Sequence, residues 1–569
     1  MSTTQTAVCQ NKSLRKGGCM FRTTVNKLNT NDPAITHVQT NMTGSRKVRN
    51  TANFLIRNTM TAVSKEPEAR TEHEKSVMER IEKAIPGFNQ LHEETYQKKL
   101  KKPNVDPSEV EKPKPMVMPT KGKWMLSYEF IDYVLKSEKN EAYYSCTSQV
   151  NQQAIRKTIK SWRAFFGEMK SYRQDPSKFK AMPHIPKYIR TDMTTAHFTN
   201  QVAQYTVEDG IGCLTLTGSD KKIKVGPDQG WTFVKAEFKY RHGDIYLHAT
   251  FDDKQTTKAP VVSEKASRFL GIDPGVSNFM TVTNNIGLTP FIIDGKRIKS
   301  VNQWFNKERA RAFSIMTRGH DIKEKGLQKS SLYTFHLSAR REGIFRDWFY
   351  KLGHYILRYA RDNKIDAIVI GHNEDQKQEI DLKDRNNQNF VSIPYLQFIK
   401  VLQNLAFAYQ IPVISREESY TSQSSLLNMD PIPTYKKGSD YVPTFSGNRS
   451  KRGLYKTKDG RAINADVNGG GNIMRKEFPK AFDGQKDLAY LTNTVKRIQL
   501  QEIIDSKHNH KKPQTQHKHF SRKSAGSKKR AHEKRDLKLA NMRIEMEKAT
   551  QAAKFKAEQE IQPETPATA

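Results

Sequence analysis

The chain has 569 residues, with 96 Lys and Arg against 60 Asp and Glu, which gives a formal net charge of +36 and an isoelectric point near 9.8. A positive excess of this size repels itself unless a polyanion neutralises it, so we expect a nucleic acid or an anionic membrane surface as the partner. The longest aliphatic run covers only residues 367–370 and the first residues are polar, so we expect neither a membrane protein nor a secreted protein. A hydrophobic content of 36% indicates that part of the chain is not packed into a core.

The cysteines lie too far apart in the sequence for a disulfide framework or a paired metal motif. Because none follows residue 213, we expect no structural zinc in the C-terminal half and a reducing, intracellular setting. The four cysteines are Cys9, Cys19, Cys146 and Cys213.

The first third of the chain predicts basic segments and helices. Residues 1–50 are polar and basic, and residues 64–122 mix charges with prolines, which is typical of a helix followed by a linker. An amphipathic helix is predicted over residues 148–170, where apolar side chains recur every three or four positions. The opposite face is basic, and two interpretations stay open: contact with phosphate groups, or an ordinary solvated face. Its residues are Arg156, Lys157, Lys160 and Arg163.

A period of two residues marks the next region. Residues 234–240 and 245–251 alternate apolar and polar side chains, and His242-Gly243-Asp244 between them is a turn signal. This pattern predicts a β-hairpin within a small antiparallel barrel or sheet.

From residue 267 the pattern becomes that of a mixed α/β domain. Three strands linked by polar turns are followed by helices that alternate with two further strands, which is the element order of an RNase H-like sheet. The predicted strands are 269–272, 279–283, 290–293, 366–370 and 411–415, and the predicted helices are 297–318, 331–363 and 393–409.

Two aspartates have positions that suit a nuclease of this fold. Such an enzyme needs carboxylates at meeting strand ends, because two divalent ions must lie about 4 Å apart on the scissile phosphate. Asp273 closes an apolar strand before Pro274-Gly275, although a turn-forming Asp-Pro-Gly is an alternative interpretation. Asp466 precedes the glycines 469–471, which allow close backbone approach, and the Asp/Asn pair offers hard oxygens. An acid at a helix N-terminus is the alternative interpretation.

These motifs resemble those of TnpB, the RNA-guided nucleases of insertion sequences, and of their Fanzor relatives. Residues 271–275 (GIDPG) resemble the first RuvC motif of that family, and residues 464–469 (NADVNG) with 472–473 resemble the third. The resemblance runs from about residue 45 to 485 and extends more distantly to the type V CRISPR effectors. Further matching segments are 53–57, 160–162 with 165–166, 176–179 and 420–423.

The second motif departs from the usual TnpB pattern. Most members place a Glu directly after the fourth strand, whereas here Glu374 follows the strand end at Ile370 only after three other residues. Fanzor proteins and their nearest TnpB relatives use a Glu further along the chain, and Glu418 matches that position. Because the fourth and fifth strands are expected to be parallel neighbours, a Glu at the end of either strand could reach the same metal ions. We therefore assign Glu418, with Glu417 and Glu374 in reserve; a surface carboxylate is the alternative for each.

Residues 421–463 depart from the family as well, because TnpB often carries a four-cysteine zinc ribbon there and this segment has no cysteine. We predict a metal-free insert that lines the nucleic-acid groove through Arg449, Lys451 and Arg452, and we do not expect zinc.

The resemblance implies a multidomain α+β protein with a RuvC/RNase H-like nuclease domain and a strand-rich wedge domain that is interrupted by a helical recognition domain. It implies an endonuclease that binds a transposon-encoded guide (omega) RNA, recognises a short motif beside its target, and cleaves double-stranded DNA that pairs with the guide. Asp273, Glu418 and Asp466 would be both catalytic residues and ligands of two Mg²⁺ ions. The expected boundaries are 1–57 (basic region and first wedge part), 58–179 (recognition domain), 180–266 (second wedge part), 267–420 with 463–485 (nuclease domain), 421–462 (insert) and 486–569 (tail).

Two alternatives remain from other classes of protein: a nuclease-inactive guided DNA-binding protein, and a transposition accessory nuclease that uses no guide. We favour a monomer. Residues 507–538 contain twelve Lys or Arg, five His and two acids, which predicts a disordered polybasic arm. That arm is compatible with nuclear import in a eukaryotic host; otherwise we expect the protein in the cytoplasm or nucleoid.

Overall fold

The chain divides into two compact units, Met1–Thr256 and Thr257–Ala569. The first contains the predicted recognition domain, the first predicted wedge part and residues 180–256 of the second, and the second contains the predicted nuclease domain. The predicted boundaries within the units remain predictions. Across the part of the chain described below, no helix combines the length and the apolar character that crossing a membrane requires. The computed structural model describes residues 5–7, 21–101, 110–179, 181–254, 259–275, 278–322, 324, 327, 330–372, 393–434, 443–451, 453–485 and 487–505.

The helices of the first unit enclose an apolar core. The predicted helix 148–170 is confirmed as α5, and its apolar positions Ile155, Ile159 and Trp162 are buried as expected. Residues 53–57, one of the segments that resemble the TnpB family, lie inside the long helix α1. The helices are α1 (Ile35–Ala62), α2 (Glu72–Leu100), α3 (Tyr128–Ser137), α4 (Glu141–Tyr144) and α5 (Ser148–Gln174).

Two antiparallel sheets complete this unit. The predicted hairpin is confirmed: its two strands pair up to Arg241 and Asp244, and His242 and Gly243 form the turn with φ values of 52° and 80°. Those positive angles give the turn a twist that matches the strands. The strands are β1 (Gln5–Ala7), β2 (Phe21–Lys27), β3 (Ala196–Thr199), β4 (Ala203–Glu208), β5 (Ile211–Leu216), β6 (Lys222–Pro227), β7 (Thr232–Arg241) and β8 (Asp244–Asp252), in the orders β1-β2-β8-β7-β3 and β4-β5-β6.

The second unit contains every strand and helix predicted between residues 267 and 415. Its elements are β9 (Phe269–Pro274), β10 (Asn278–Asn284), β11 (Phe291–Asp294), α6 (Lys296–Met316), α7 (Leu332–Asp362), β12 (Ala367–Gly371), α8 (Tyr395–Tyr409), β13 (Val413–Arg416), β14 (Gly447–Lys451), β15 (Leu454–Thr457), β16 (Ala462–Asn464), α9 (Ala465–Glu477), α10 (Ala489–Thr492), β17 (Lys496–Ile498) and α11 (Leu500–Asp505).

The large sheet of this unit has the order β13-β12-β9-β10-β11-β17. Strand β10 is antiparallel to both of its neighbours, and the pairs β9–β12, β12–β13 and β11–β17 are parallel. An antiparallel second strand within an otherwise parallel sheet, with helices after the third and fourth strands, is the RNase H-like arrangement. The predicted fold class is therefore confirmed, and β17 adds a strand at the edge beyond β11.

Alternate residues of β9 face opposite sides of the sheet, as the two-residue period of a strand requires. Leu270 and Ile272 pack into the core that α7 and α8 cover. Phe269 packs into a second core, on the side that contains α9. Gly271 and Asp273 share the face of Phe269, so the strand aims Asp273 toward α9.

The residues that replace a zinc ribbon form the small sheet β14-β15-β16 directly before α9. Tyr455 at its centre is fully buried, and its hydroxyl donates to the carbonyl oxygen of Gln423 at 2.7 Å. Asn464 then starts α9, because its side-chain oxygen accepts hydrogen bonds from the backbone N–H groups of Asp466 and Val467.

Candidate active site

Asp273, Glu418 and Asp466 come together at the carboxyl end of the central strands. Ile272 pairs with Ile370 of β12, and β12 is in turn parallel to β13, so the three strands end along one edge of the sheet. Glu418 follows β13 by two residues. The predicted parallel neighbourhood of the fourth and fifth strands is thus confirmed.

The surroundings of Asp273 disfavour its negative charge. Removal from water raises the pKa of its carboxyl group well above the ordinary range, and the charges of Glu418 and Asp466 raise it further, whereas Arg449 opposes the change. Carboxylates at such close quarters need a cation between them to be ionised together.

Asp466 lies in the first turn of α9 and has two side-chain partners. The Nδ2 group of Asn278 donates to its Oδ2 atom at 2.6 Å, and Nη2 of Arg449 lies 3.1 Å from its Oδ1 atom. Asn278 in turn accepts a hydrogen bond from Arg497 at 3.2 Å. The carboxylate is therefore held from two sides, and the helix N-terminus favours its charge.

Two glycines make room for the carboxylates. A Cβ atom on Gly469 would lie 2.5 Å from Oδ2 of Asp273, and one on Gly371 would lie 2.6 Å from Oε2 of Glu418. A third contact is between backbones, because a Cβ on Gly271 would lie 2.0 Å from the carbonyl oxygen of Gly470. The consecutive glycines of α9 thus let the helix rest on β9 and bring Asp466 toward Asp273.

The neighbouring acid, Glu417, is used differently. Its side chain pairs with Lys476 at 2.5 Å and accepts a hydrogen bond from the backbone N–H of Ser419 at 2.5 Å. Burial raises the pKa of Glu417, but the Lys476 and Ser419 hydrogen bonds outweigh it, so the net pKa is lowered. Glu417 is therefore committed to an ion pair, which favours Glu418 as the third carboxylate. Glu374 lies outside the described residues.

The asparagines of the third motif are structural. Asn468 is fully buried; its side chain accepts from the backbone N–H of Leu426 at 2.9 Å and donates to the carbonyl of Ser424 at 2.8 Å. Asn472 donates to the carbonyls of Thr421 and Ser424. The interpretation that an asparagine beside Asp466 offers oxygen to a metal is therefore wrong for Asn468, because its oxygen is already occupied by a backbone hydrogen bond.

Sequence reasoning missed two side chains of this site. Tyr395, at the start of α8, donates from its hydroxyl to the carbonyl of Gly275 at 2.6 Å. Burial, with added repulsion from the charges of Asp273 and Glu418, raises its pKa. Asn278 is the other, at the start of β10. Neither residue belongs to a local sequence motif. Only the order of the strands, which brings β10 and the start of α8 to this edge of the sheet, could have predicted that the two residues lie in the site.

The predicted nucleic-acid-binding residues differ in their exposure and in their contacts. Lys160 and Arg163 are exposed on α5, and Arg156 lies over the ring of Tyr128 with 3.9 Å between Cζ and the ring centre. Lys157 does not share their exposed face: it is half-buried, and its Nζ lies 2.8 Å from Nε2 of His197. Lys157 therefore lies off the exposed basic face, because α5 packs its Lys157 edge on β3. Phosphate contact by these residues stays a prediction. Of the insert residues, Lys451 is exposed, Arg449 contacts Asp466, and Arg452 lies outside the described residues.

The chemistry of the three carboxylates suits divalent cations. Among the residues that the structure describes, no three His, Cys, Asp or Glu side chains gather closely enough to hold one metal ion. The group is nevertheless made of hard carboxylate oxygens, and Gly371 and Gly469 approach it so closely that a Cβ atom on either would collide with an oxygen of Glu418 or Asp273. Those properties match the ligands that Mg²⁺ accepts.

Comparison with known proteins supports the resemblance. Residues 253–377, which include Asp273, match the OrfB_IS605 family model, described as a probable transposase. Over that segment, and not over the rest of the chain, the protein is similar to this transposase family. No curated protein matches the chain significantly.

Solved structures with similar folds include CRISPR effector complexes. A Cas12f1–sgRNA–target DNA complex shares 14% identity over 71% of this chain and 83% of that chain, with a TM-score of 0.36. A CRISPR-Cas12f ternary complex shares 13% identity over 69% and 80%, with a TM-score of 0.27. C2c1 of Alicyclobacillus acidoterrestris in complex with single-guide RNA shares 10% identity over 75% and 69%, with a TM-score of 0.28.

Proposed function

We propose that this protein is an RNA-guided DNA endonuclease of the TnpB kind, related to Fanzor, with a single metal-dependent RuvC-like site. The observation that carries the proposal is the approach of Asp273, Glu418 and Asp466 at one edge of an RNase H-like sheet. The match of residues 253–377 to a transposase family supports it.

In this proposal the three carboxylates hold two Mg²⁺ ions. When bound, such a pair of ions activates a water molecule for attack on the phosphodiester and stabilises the departing 3′ oxygen. Asn278 and Arg449 orient Asp466 through the contacts to its two oxygens. Glu417 pairs with Lys476 and takes no part in holding the ions, whereas Glu418 lies against Gly371.

The net charge of +36 supports a guide RNA and double-stranded DNA as partners. Base pairing with a transposon-encoded guide would select the target sequence, and the protein itself would read only a short adjacent DNA motif. A monomer is sufficient for one cleavage site. The polybasic residues 507–538 lie outside the described residues; nuclear import in a eukaryotic host, or a cytoplasmic or nucleoid location otherwise, is part of the proposal.

The test is to express the protein with its flanking genomic DNA, sequence the RNA that copurifies, and measure Mg²⁺-dependent cleavage of DNA matched to that RNA. The wild type is compared with Asp273→Ala, Glu418→Ala and the matched control Glu417→Gln. We expect one discrete RNA, cleavage by the wild type and the control, and no cleavage by the two alanine variants.

The other outcomes separate the alternatives. A discrete RNA with target binding but no cleavage by the wild type would identify a nuclease-inactive guided DNA-binding protein. Cleavage without any discrete RNA would instead identify a nuclease that needs no guide.

A further inference from the structure

A cluster of charged side chains in the first unit lies far in sequence from the carboxylates of the candidate active site. Lys235, Glu237 and Lys239 occur at every second position of β7, so their side chains emerge on one face of the sheet. His197 of the neighbouring strand β3 pairs directly with Glu237. Helix α5 packs against β3, and α1 packs against both α5 and β3, which adds Lys157 and Arg49.

Glu237 collects three of these donors. Its Oε1 atom lies 3.0 Å from Nδ1 of His197 and 2.9 Å from Nζ of Lys235, and its Oε2 atom lies 3.0 Å from Nζ of Lys239. The hydrogen bond from His197, opposed by burial, makes the largest contribution to a strongly lowered pKa of Glu237, so this residue is an anion.

Lys157 approaches the cluster from the helix side. Its Nζ lies 2.8 Å from Nε2 of His197, so the ammonium donates and the imidazole accepts on that nitrogen. The second nitrogen, Nδ1, then carries the proton that is donated to Glu237. The imidazole is neutral in this arrangement, in keeping with its pKa, which burial lowers.

Positive charge in this cluster exceeds negative charge. Arg49, Lys157, Lys235 and Lys239 carry four positive charges and Glu237 carries one negative charge, so these five described residues have a net charge of +3. Burial lowers the pKa of Lys157 to about 8, and it also lowers the pKa of Arg49. Partial burial of several like charges together costs free energy, and an anion bound among them lowers that cost.

Arg49 has a buried N–H group that is available to donate to an anion. Its Nη1 group donates to the hydroxyl of Thr194 at 3.3 Å, while its buried Nε group makes no hydrogen bond to any residue that the structure describes. A buried guanidinium N–H group without a hydrogen-bond acceptor is a donor suited to an oxyanion.

We propose that Arg49, Lys157, Lys235 and Lys239 form a binding site for a backbone phosphate of a nucleic-acid strand, held between α1, α5 and β7. The strand's chemistry is inferred from the proposed function, and either RNA or DNA supplies the same phosphodiester. Lys157 is the central contact, because its ammonium is shared between this site and His197. The exposed Lys160 and Arg163, one face away on α5, are not part of the site.

The proposal predicts a proton linkage. A phosphate beside Lys157 favours its charged form and raises its pKa, so binding takes up a proton, and affinity falls as the pH rises through about 8. The groups that face Lys157 are Glu237, Lys235 and Lys239 from β7, Arg49 from α1 and His197 from β3; on β8, His248 lies opposite Glu237.

The test measures binding of fluorescent 20-nucleotide single-stranded RNA and single-stranded DNA of the same sequence to the full-length protein in EDTA. Wild type, Lys157→Gln and the control Lys170→Gln, at an exposed position near the end of α5, are compared over a range of salt concentrations. We expect Lys157→Gln to weaken binding severalfold and to make the salt dependence shallower by about 0.7 in log–log slope, the value for one phosphate contact on a single strand. A response with one probe identifies the strand that occupies the site, and a response with both identifies a shared phosphate site.

A second variant separates this role from a structural one. Lys157→Arg keeps the charge and cannot titrate in this range, so it should bind like the wild type at pH 7 but lose the decline of about tenfold expected between pH 7 and 9. The proposal is overturned if Lys170→Gln has the same effect as Lys157→Gln, if neither probe responds to Lys157→Gln, or if Lys157→Arg keeps the pH profile of the wild type. Because cleavage is blocked throughout, a failure of the proposed nuclease activity leaves these results unaffected.

Discussion

Gly469 of α9 lies so close to Asp273 of β9 that a single added carbon on the glycine would sit 2.5 Å from the carboxylate oxygen Oδ2. Real Cβ atoms do not approach an oxygen so closely, and the short Asp273 side chain has little freedom to move aside. The position of one carboxylate therefore depends on the absence of a side chain nearly 200 residues further along the chain.

Gly469→Ala is expected to remove most of the cleavage activity while the fold is kept. Alanine favours a helix more than glycine does, so the cost falls on the orientation of Asp273 rather than on α9. A displacement of about 1 Å at a reacting centre costs on the order of 100-fold in rate, and we expect a loss of that size. The measurement is Mg²⁺-dependent cleavage of guide-matched DNA, with circular dichroism to verify folding.

Gly343→Ala is the matched control for this prediction. Gly343 is also helical, in α7 of the same unit, and no atom lies within 4 Å of its added Cβ. This variant should cleave like the wild type and be more stable by about 0.5–1 kcal/mol. Equal activity of Gly469→Ala and Gly343→Ala would show that Asp273 does not need its observed orientation.

The sequence predicted the five strands of the second unit between residues 267 and 415, because each apolar run ends at a clear turn signal, but not β14, β15, β16 or β17. Asp273 and Asp466 could be picked out for the same reason: each lies where a regular element begins or ends. Long-range contacts had no such signal. Asn278 and Asp466 are 188 residues apart, and no periodicity links the two.

Helix α1 shows the same limit in the first unit. Much of its sequence is Thr and Asn, which favour helices weakly, and no local pattern announces 28 helical residues. Tertiary contacts explain the helix: Asn50 exchanges two hydrogen bonds with the backbone of Ile189, and Asn53 donates to Pro186 and accepts from Trp162. A position whose conformation depends on partners 100 or more residues away is not readable from its neighbours.

The adjacent acids Glu417 and Glu418 should respond differently to the same substitution. Glu418→Gln should reduce cleavage by more than about 100-fold, since the loss of residues that merely support metal ligands already costs 10–100-fold. Glu417→Gln removes the charge that faces Lys476, whose side chain is only 4% exposed. Because Glu417 itself is 38% exposed, we expect a stability loss of only about 1 kcal/mol and cleavage within a few fold of the wild type.

Cleavage rates and thermal melting of both glutamine variants test this assignment. If Glu417→Gln abolished cleavage at temperatures well below its melting transition while Glu418→Gln stayed active, the roles of the two acids would be reversed.

Asp273→Asn should stabilise the metal-free protein at neutral pH. A carboxyl group whose pKa is raised by folding stabilises the protein below its unfolded pKa of about 3.9, and this contribution is lost as the pH rises through the folded pKa. Asparagine carries no charge, so the melting temperature of the variant in EDTA should exceed that of the wild type by a few degrees at pH 7, but not at pH 4.

Magnesium should reverse this difference. Added Mg²⁺ is expected to raise the melting temperature of the wild type, because the ion binds only the folded carboxylates, and to leave Asp273→Asn almost unchanged. Asp505→Asn, at an exposed position of α11, is the control and should melt and respond to Mg²⁺ like the wild type. A wild type that is more stable than Asp273→Asn in EDTA at pH 7 would contradict the repulsion among Asp273, Glu418 and Asp466.

Asn468 distinguishes a structural asparagine from a metal ligand. Its oxygen accepts from the N–H of Leu426 and its amide nitrogen donates to the carbonyl of Ser424, in a fully buried position. Aspartate has nearly the same shape but cannot donate, so Asn468→Asp would place a buried charge against a carbonyl oxygen. We expect a loss of about 3 kcal/mol or more in the free energy of unfolding, measured as a lower melting temperature. The exposed control Asn448→Asp should change stability by no more than about 0.5 kcal/mol.

If Asn468 instead bound the metal, aspartate would be an equal or better ligand, and Asn468→Asp would keep cleavage and gain stability on addition of Mg²⁺. The two roles thus predict opposite effects of one substitution, and the hydrogen bonds to Leu426 and Ser424 favour the structural one.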